Sequence, residues 1–336
     1  MCALTPSIEA DAAVHVAVGV LIDRRRVLLT RRAKTAHQGG KWEFPGGKLN
    51  AGETVISALH RELNEELGIV VQHARPLMQV RYTYPEKTVW LDVWKIVAYT
   101  GTPHGREGQA LRWASRDELL ELDLPPADRP IQRRLWLPAL CAISDCTGYG
   151  REVFLERLEQ ALSGGLRLLQ LREPDLPESD YLALAREVIM RCHRHGAKVL
   201  LNADPSLVAA CGADGVHVNG RRLRDIAARP LPDPYFVSAS CHDAQEVARA
   251  QEIDADLIVL GPVAPTASHP SARPLGWNKF ETLCRQAGPA VYALGGMHAT
   301  DTVTACAHGA QGVAMISGIW RTPGDVGLAT MCEALS

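Results

Sequence analysis

Between Gly47 and Ile69 the chain reads GKLNAGETVISALHRELNEELGI. Glu53 follows the first glycine, and Arg61-Glu62-Leu63, Glu65-Glu66-Leu67 and Gly68-Ile69 come after it. On a helix Glu62, Glu65 and Glu66 stand at i, i+3 and i+4 and share one side. Three carboxylates so placed repel one another unless a cation sits among them. Hard oxygen donors suit Mg²⁺ or Mn²⁺, and Mg²⁺ also ligates phosphate oxygens. The spacing therefore predicts a metal-dependent site for a polyphosphate. Gly46, Gly47 and Gly52 allow the backbone to turn tightly against a ligand, and Gly68 suits the helix C-cap.

The elements that position these residues are legible around them. Ile56, Leu59, Leu63 and Leu67 form an apolar stripe beside the carboxylates, expected to bury against a sheet. VHVAVGVLI (14–22) and VLLT (27–30) precede the helix, and strand-like stretches follow at 77–84 and 89–99. This predicts mixed α/β structure with mostly local hairpins. DELLEL (117–122) and IQRRLWL (131–137) read as short helices. Pro125, Pro126, Pro130 and Pro138 punctuate the next stretch, which places a domain boundary near 138 and gives domains 1–137 and 138–336.

From Leu140 onward short apolar runs alternate with helical patterns. The runs are LCAIS (140–144), RLLQLR (167–172), KVLLNA (198–203), DGVHV (214–218), YFVSAS (235–240), DLIVL (256–260), AVYALG (290–295) and GVAMIS (312–317). Eight βα units indicate a compact (β/α)8 TIM barrel, with a doubly wound open sheet as the alternative. On a barrel the residues after each strand line the active face. These include Gln170, Arg172, Asn202, His217, Ser240, His242, Thr266, Gly295-Gly296 and Ile316-Ser317. The glycines of ALGGM and MISGI would place backbone N–H groups around a phosphate.

Length and composition bound the rest. At 336 residues two domains are expected, and 46% hydrophobic residues suffice for cores. The 36 basic and 38 acidic residues give a net charge of −2, which disfavours stable nucleic-acid binding. No apolar run is long enough for a membrane span, and MCALTPSIEADAAV lacks the layout of a secretion signal. The nine cysteines form no C-x-x-C pair, which fits a reducing cytosol and a cytoplasmic protein. Oligomeric state is not legible.

The 47–69 stretch resembles the Nudix box, so the N-terminal half is identified as a member of the Nudix hydrolases, which implies an α/β/α sandwich with a mixed sheet. LLTRRAKTAHQGGKWEFPGGK (28–48), GREGQ (105–109) and Leu124-Pro125-Pro126-Ala127-Asp128-Arg129-Pro130 resemble the MutT branch, which hydrolyses 8-oxo-dGTP. The resemblance implies Glu62, Glu65, Glu66, Glu107 and the Gly46 carbonyl as metal ligands. It also implies Arg32, His37, Glu43, Phe44, Pro45, Gly46, Lys48 and Asp128 as the nucleotide pocket. The implied reaction is in-line attack of water on the β-phosphorus, giving a nucleoside monophosphate and pyrophosphate. Glu62 is the candidate to orient or deprotonate the water and Glu53 the alternative, which could instead pair with Arg61 as a brace. Asp128 replaces an asparagine of the MutT pattern, and Lys87 an arginine. An ionised aspartate only accepts hydrogen bonds, so the base preference stays open.

The second half resembles the thiamine phosphate synthase/TenI family through QLRE (170–173), LNAD (201–204), GADGVHV (212–218), SCHDAQEV (240–247), GPVAPTASH (261–269), ALGGM (293–297) and MISGI (315–319). Against that pattern Pro174 and His269 replace lysines. Asn202-Ala203-Asp204 and Gly220-Arg221-Arg222 lack the aspartates that hold Mg²⁺. The resemblance thus implies a phosphate cup at Thr266, Gly295, Gly296, Ile316 and Ser317 without synthase activity. His242 is the acid/base candidate for a TenI-like tautomerisation of a thiazole phosphate. Three readings stay open: a nucleotide-pool hydrolase, a hydrolase of a thiamine-related diphosphate, and a barrel that only binds a thiazole phosphate, thiamine phosphate or other phosphorylated metabolite.

Overall fold

The computed structural model describes residues 13–24, 26–135, 137–266 and 272–323. Residues 1–12 and His269, on which two of the expectations above bear, lie outside the described residues. The chain divides into two compact units, residues 1–136 and 137–336. Among the described residues no helix is long and apolar enough to cross a membrane, and Cys141 and Cys146, the closest cysteine pair, are both free thiols.

In the first unit β1 (Val14–Asp23), β2 (Arg26–Arg31), β3 (Trp42–Glu43), β4 (Gly46–Lys48), β5 (Val70–Thr83), β6 (Thr88–Thr100) and β7 (Leu111–Ala114) build a seven-stranded mixed sheet. Its path is β3-β2-β1-β6-β5, with β4 on β1 and β7 on β2. The pairing is less local than the sequence suggested. β1 runs parallel to β6, matching Val14–Leu21 to Val89–Ile96. β5 starts at Val70, before the strand-like stretch at 77, because register shifts around His73 and between Pro76 and Met78 break its alternation. Proline lacks the N–H a regular ladder needs and is tolerated at such irregularities.

Alternate residues of β1 enter opposite cores, as a strand's period of two requires. Val18 and Val20 pack with Phe44, Leu119 of α2 (Arg116–Glu121) and Ile131 of α3 (Arg129–Arg134). Ala17 and Leu21 pack with Ala58, Leu59, Leu63 and Leu67 of α1 (Val55–Leu67). The unit is a sandwich with the sheet as its middle layer. Ile56 departs from expectation: it lies on the same arc of α1 but in the first turn, and it remains 37% exposed. Ala58 widens the buried stripe instead.

Local signals fix both ends of α1. The Thr54 side chain accepts the Ser57 N–H at 3.2 Å, one of the orphan donors every helix start carries. Gly68 takes a left-handed conformation with φ 69° and returns its N–H to the Asn64 carbonyl, a conformation glycine adopts without steric cost.

In the second unit all eight apolar runs are strands: β8 (Leu140–Ile143), β9 (Leu168–Leu171), β10 (Lys198–Leu201), β11 (Gly215–Val218), β12 (Phe236–Cys241), β13 (Leu257–Leu260), β14 (Ala290–Leu294) and β15 (Gly312–Met315). They close a parallel barrel in sequence order, β15 returning to β8, so the open-sheet alternative is excluded. Cys141, Ile143, Leu168, Leu200, Leu257, Val259, Tyr292 and Ala314 form a core without helical residues, which is the barrel interior. Their neighbours, such as Ala142, Leu169, Val199 and Ile258, pack with the surrounding helices.

Candidate active site and barrel mouth

The carboxylates of α1 meet different surroundings because of the helical period. Glu66 follows Leu59 by seven residues and so lies almost above it, inside the buried arc. Glu65 follows Ala58 in the same way, at the edge of that arc, and its side chain is 53% exposed. Glu66 Oε2 accepts the Gly46 N–H at 3.1 Å. Burial, then the neighbouring carboxylates of Glu43, Glu62 and Glu107, push the Glu66 pKa up to about 8. The sheet side of the site depends on a missing side chain: a Cβ on Gly47 would stand 2.2 Å from the Glu62 carboxyl carbon.

Arg61 gathers the remaining charges. Its guanidinium donates to Glu62 Oε1 at 2.7 Å, to Glu65 Oε2 at 3.2 Å and to the Lys48 carbonyl at 3.0 Å. It also donates to Glu53 Oε1 at 3.0 Å and to Glu53 Oε2 at 2.8 Å. Glu53 takes the Asn50 N–H at 2.8 Å as well. Both Glu53 oxygens are thus engaged, and these donors, Arg61 foremost, hold its pKa down to about 2.

The 104–109 loop covers the open end of α1, whose last carbonyls lack helical partners. The N–H groups of His104 and Arg106 reach the Leu67 and Glu66 carbonyls, each at 3.0 Å. Gln109 donates to the Glu66 carbonyl at 3.0 Å and accepts the Glu107 N–H at 2.9 Å. The sequence predicted Glu107 here; Gln109, which ties its loop to α1, was not singled out, although GREGQ contains it.

Beside the carboxylates a second group of side chains gathers around the turn from β3 to β4. Arg32 pairs with Glu43 and donates to the His37 carbonyl at 2.8 Å. Glu43 is pushed up to about 7 by burial, against the pull of Arg32. Phe44 and Pro45 are buried, and Lys48 is exposed. Asp128, at the end of a 3-10 turn over Pro126–Asp128, is buried at 8% exposure. Burial first and Glu43 second raise its pKa to about 8, against the Phe44 N–H and Arg32. Tyr84, missed from the sequence, has Asp128 and Arg32 as neighbours. Its hydroxyl accepts the Ala127 N–H at 3.4 Å, and its ring meets His37 edge-on at 4.7 Å. His37 also pairs with Glu86.

Among the described residues no three His, Cys, Asp or Glu side chains form a ready-made metal-ligand group. The donor chemistry nevertheless fits a hard divalent cation. A half-buried glutamate raised by three other carboxylates is an excess of anionic oxygen that such a cation relieves.

In the barrel, the inward parity that buries Leu168 and Leu257 also turns Gln170, His217, Ser238 and Ser240 inward. His217 Nδ1 is hydrogen-bonded to Ser238 Oγ at 2.9 Å and Nε2 to Ser240 Oγ at 2.8 Å. Burial, then Arg172, pushes the His217 pKa down to about 3. Gln170 is 2% exposed, and its Oε1 is buried with no hydrogen-bond partner among the described residues. Two or more polar residues at inward parity, in GVHV and VSAS, are the signal for this array.

His242 instead lies outside, its side chain 57% exposed and paired with Glu246 at 2.7 Å. Glu246 also accepts the His242 N–H at 2.9 Å, so the pair serves the start of the helix Ala244–Glu252. Gly295 and Gly296 both have positive φ, and a Cβ on Gly296 would stand 2.8 Å from the Pro265 carbonyl oxygen. Asp204 is occupied by the Ser206 hydroxyl and N–H at 2.6 and 3.0 Å, and Arg222 donates to the Ala203 carbonyl.

The two units match different protein families. A NUDIX domain profile matches residues 13–135, and a thiamine monophosphate synthase profile matches residues 140–319. The 8-oxo-dGTP diphosphatase of Escherichia coli is 39% identical over 123 residues, covering 36% of this chain and 95% of that protein. A putative thiamine-phosphate synthase 2 of Aquifex aeolicus is 35% identical over 181 residues, covering 54% of this chain and 97% of that protein. A putative thiamine-phosphate synthase of Geobacter sulfurreducens is 37% identical over 187 residues, covering 55% and 88%.

Proposed function

The chain belongs to the Nudix hydrolases through its N-terminal unit and to the thiamine monophosphate synthase family through its C-terminal unit, and from this premise we propose that it hydrolyses 8-oxo-dGTP to 8-oxo-dGMP and pyrophosphate with Mg²⁺ or Mn²⁺. The observation that supports the reading is the carboxylate cluster around Glu66, which has Glu43 as a neighbour, itself beside Arg32 and Asp128.

Glu62, Glu65, Glu66, Glu107 and the Gly46 carbonyl would hold the cation, which when bound neutralises charge developing on the phosphates. Arg61 orients Glu62 through its hydrogen bond to Oε1. Glu62 then accepts the proton of the attacking water, a role for which Glu53 has no oxygen to spare. Glu53 braces Arg61 and the turn at Asn50. Arg32 and His37 would contact the nucleotide, with Phe44 and Tyr84 as apolar neighbours. For the barrel we propose binding of a phosphorylated metabolite without synthase chemistry. Ala203 and Arg222 stand where the family pattern has its metal-binding aspartates, while Gly295 and Gly296 still allow backbone close to a phosphate.

A turnover panel with Mg²⁺ tests the first reading, comparing 8-oxo-dGTP, dGTP, thiamine diphosphate and hydroxymethylpyrimidine diphosphate. The highest kcat/KM is expected for 8-oxo-dGTP. A higher value for either thiamine-related compound would establish the second reading, which the family of the barrel favours: a hydrolase serving thiamine metabolism. Glu66→Gln should lower kcat by about 100-fold or more while the far-ultraviolet circular dichroism is unchanged. Calorimetry with thiamine phosphate and a thiazole phosphate tests the barrel, and no heat from either would leave it a scaffold.

A further inference from the structure

We propose that Glu86, at the tip of the hairpin between β5 and β6, is a positioning residue for nucleotide binding: it holds His37, and through His37 it holds Arg32. This rests on the nucleotide reading of Arg32 and His37 and deepens it. The loop between β2 and β3 is tied to itself by its backbone. At its neck the Arg32 N–H reaches the Lys41 carbonyl at 2.9 Å, and the Gly40 N–H reaches the Arg32 carbonyl at 3.1 Å. Further out the Ala36 N–H reaches the Ala33 carbonyl at 3.0 Å. The chain then reverses through Gln38 at φ 58°, in the left-handed region that few side chains adopt. Residues 33–36 are exposed, while His37 and Gln38 turn inward and are half-buried. Backbone bonds of this kind set the path of the loop and leave the direction of the imidazole to other contacts.

Those contacts come from the hairpin tip. Tyr84 and Glu86 belong to one tight turn, closed by the Tyr84 N–H on the Lys87 carbonyl at 2.8 Å and flanked by the Thr83 and Thr88 hydroxyls at 3.1 Å. Tyr84 is buried, and its ring meets His37 edge-on at 4.7 Å and Tyr82 at 4.7 Å. The Glu86 carboxylate meets His37 Nε2, an atom shielded from solvent. From His37 the contacts run toward the carboxylate cluster. Its carbonyl accepts Arg32 Nε–H at 2.8 Å, and Arg32 pairs with Glu43, a neighbour of Glu66. The Glu86 side chain is 54% exposed, so little of the fold depends on it. Its charge is of the wrong sign to attract a triphosphate. Charge and positioning therefore predict opposite effects of its removal on nucleotide binding.

Steady-state kinetics of the full chain on 8-oxo-dGTP at saturating Mg²⁺ separate the two. In Glu86→Ala the KM should rise about five- to tenfold, the range of one lost polar contact. The kcat should stay within about twofold, the mark of a loss in binding rather than in the chemical step. The melting temperature should be nearly unchanged. Glu86→Gln keeps an acceptor oxygen at the same reach and should recover most of the loss. In a His37→Ala background Glu86→Ala should change KM by less than about twofold, because the side chain it positions is gone. An unchanged or lower KM in Glu86→Ala, with 8-oxo-dGTP still turned over by the native chain, overturns this inference alone. The full rise in the His37→Ala background also overturns it. A native KM in His37→Ala overturns the contact of His37 with the nucleotide together with this inference. Failure of the native chain to turn over 8-oxo-dGTP overturns the nucleotide reading as well.

Discussion

Glu53 and Glu62 both stood as bases for the attacking water, and neighbouring atoms separate them. Spacing alone shows that each can reach the site; it does not show which oxygens are already spoken for. Arg61 and Asn50 occupy both oxygens of Glu53, whereas Arg61 donates to Oε1 of Glu62. Glu62→Gln should therefore lower kcat by about 100-fold or more, and Glu53→Gln by about tenfold or less, in steady-state assays at saturating Mg²⁺. Equal losses would return the base to Glu53. Gly47 carries a second residue-level prediction. An added Cβ meets the mobile end of Glu62 rather than backbone, so Gly47→Ala should leave the melting temperature nearly unchanged while kcat falls. The box motif was legible because its roles are tied to type and spacing. The Tyr84 wall and Ser238 were not, because a lone tyrosine or serine becomes informative only once folding shows which way it faces; His217 and Ser240 were read onto the active face, but not the hydrogen bonds that join them.

Whether an element could be read from the sequence depended on how regular its neighbours made it. The barrel strands were read in full because they are short, buried on both faces and almost uniformly apolar. β5 was read only in part, since its irregularities around His73 and Pro76 break the period on which the reading depends. His242 shows a related ambiguity. A histidine just past a strand has the same sequence position whether it points into the mouth or caps the next helix, and Glu246 takes it for the helix. The loop over the end of α1 joins element to function. The Gln109 side chain links the last turn of α1 to the backbone of Glu107, and the neighbouring Arg106 side chain donates to the Asn64 carbonyl. Gln109→Ala should therefore raise the Mg²⁺ concentration for half-maximal activity several-fold, by about 1 kcal/mol per lost hydrogen bond. The rate at saturating Mg²⁺ should change less. A metal titration of activity decides this, and an unchanged Mg²⁺ requirement would remove Glu107 from the proposed ligand set.

At the scale of the molecule, two units with opposite buried chemistry should respond oppositely to acid. In the first unit Glu43, Glu66 and Asp128 keep their protons in the fold to about 7, 8 and 8, while the unfolded chain releases them from about 4 upward. The unfolded state thus binds fewer protons over that interval, and stability falls as pH rises through it. In the second unit His217 stays neutral in the fold down to about 3, while the unfolded chain protonates it below 6.5. Here the unfolded state binds more protons, and stability falls as pH drops. The lowered pKa values of Glu159, Glu187 and Asp214 act in the same direction. Between pH 4.5 and 6.5 the two sets of groups are both active. Calorimetric scans of the full chain without metal should therefore show two transitions that move in opposite directions as the pH is raised across this window. The transition that moves down belongs to the first unit, and Asp128→Asn should reduce its pH dependence without altering that of the other. Both transitions moving the same way would mean that surface charge outweighs these buried groups. Adding Mg²⁺ should reverse the slope of the first transition alone, because a bound cation favours the ionised carboxylates that burial otherwise opposes.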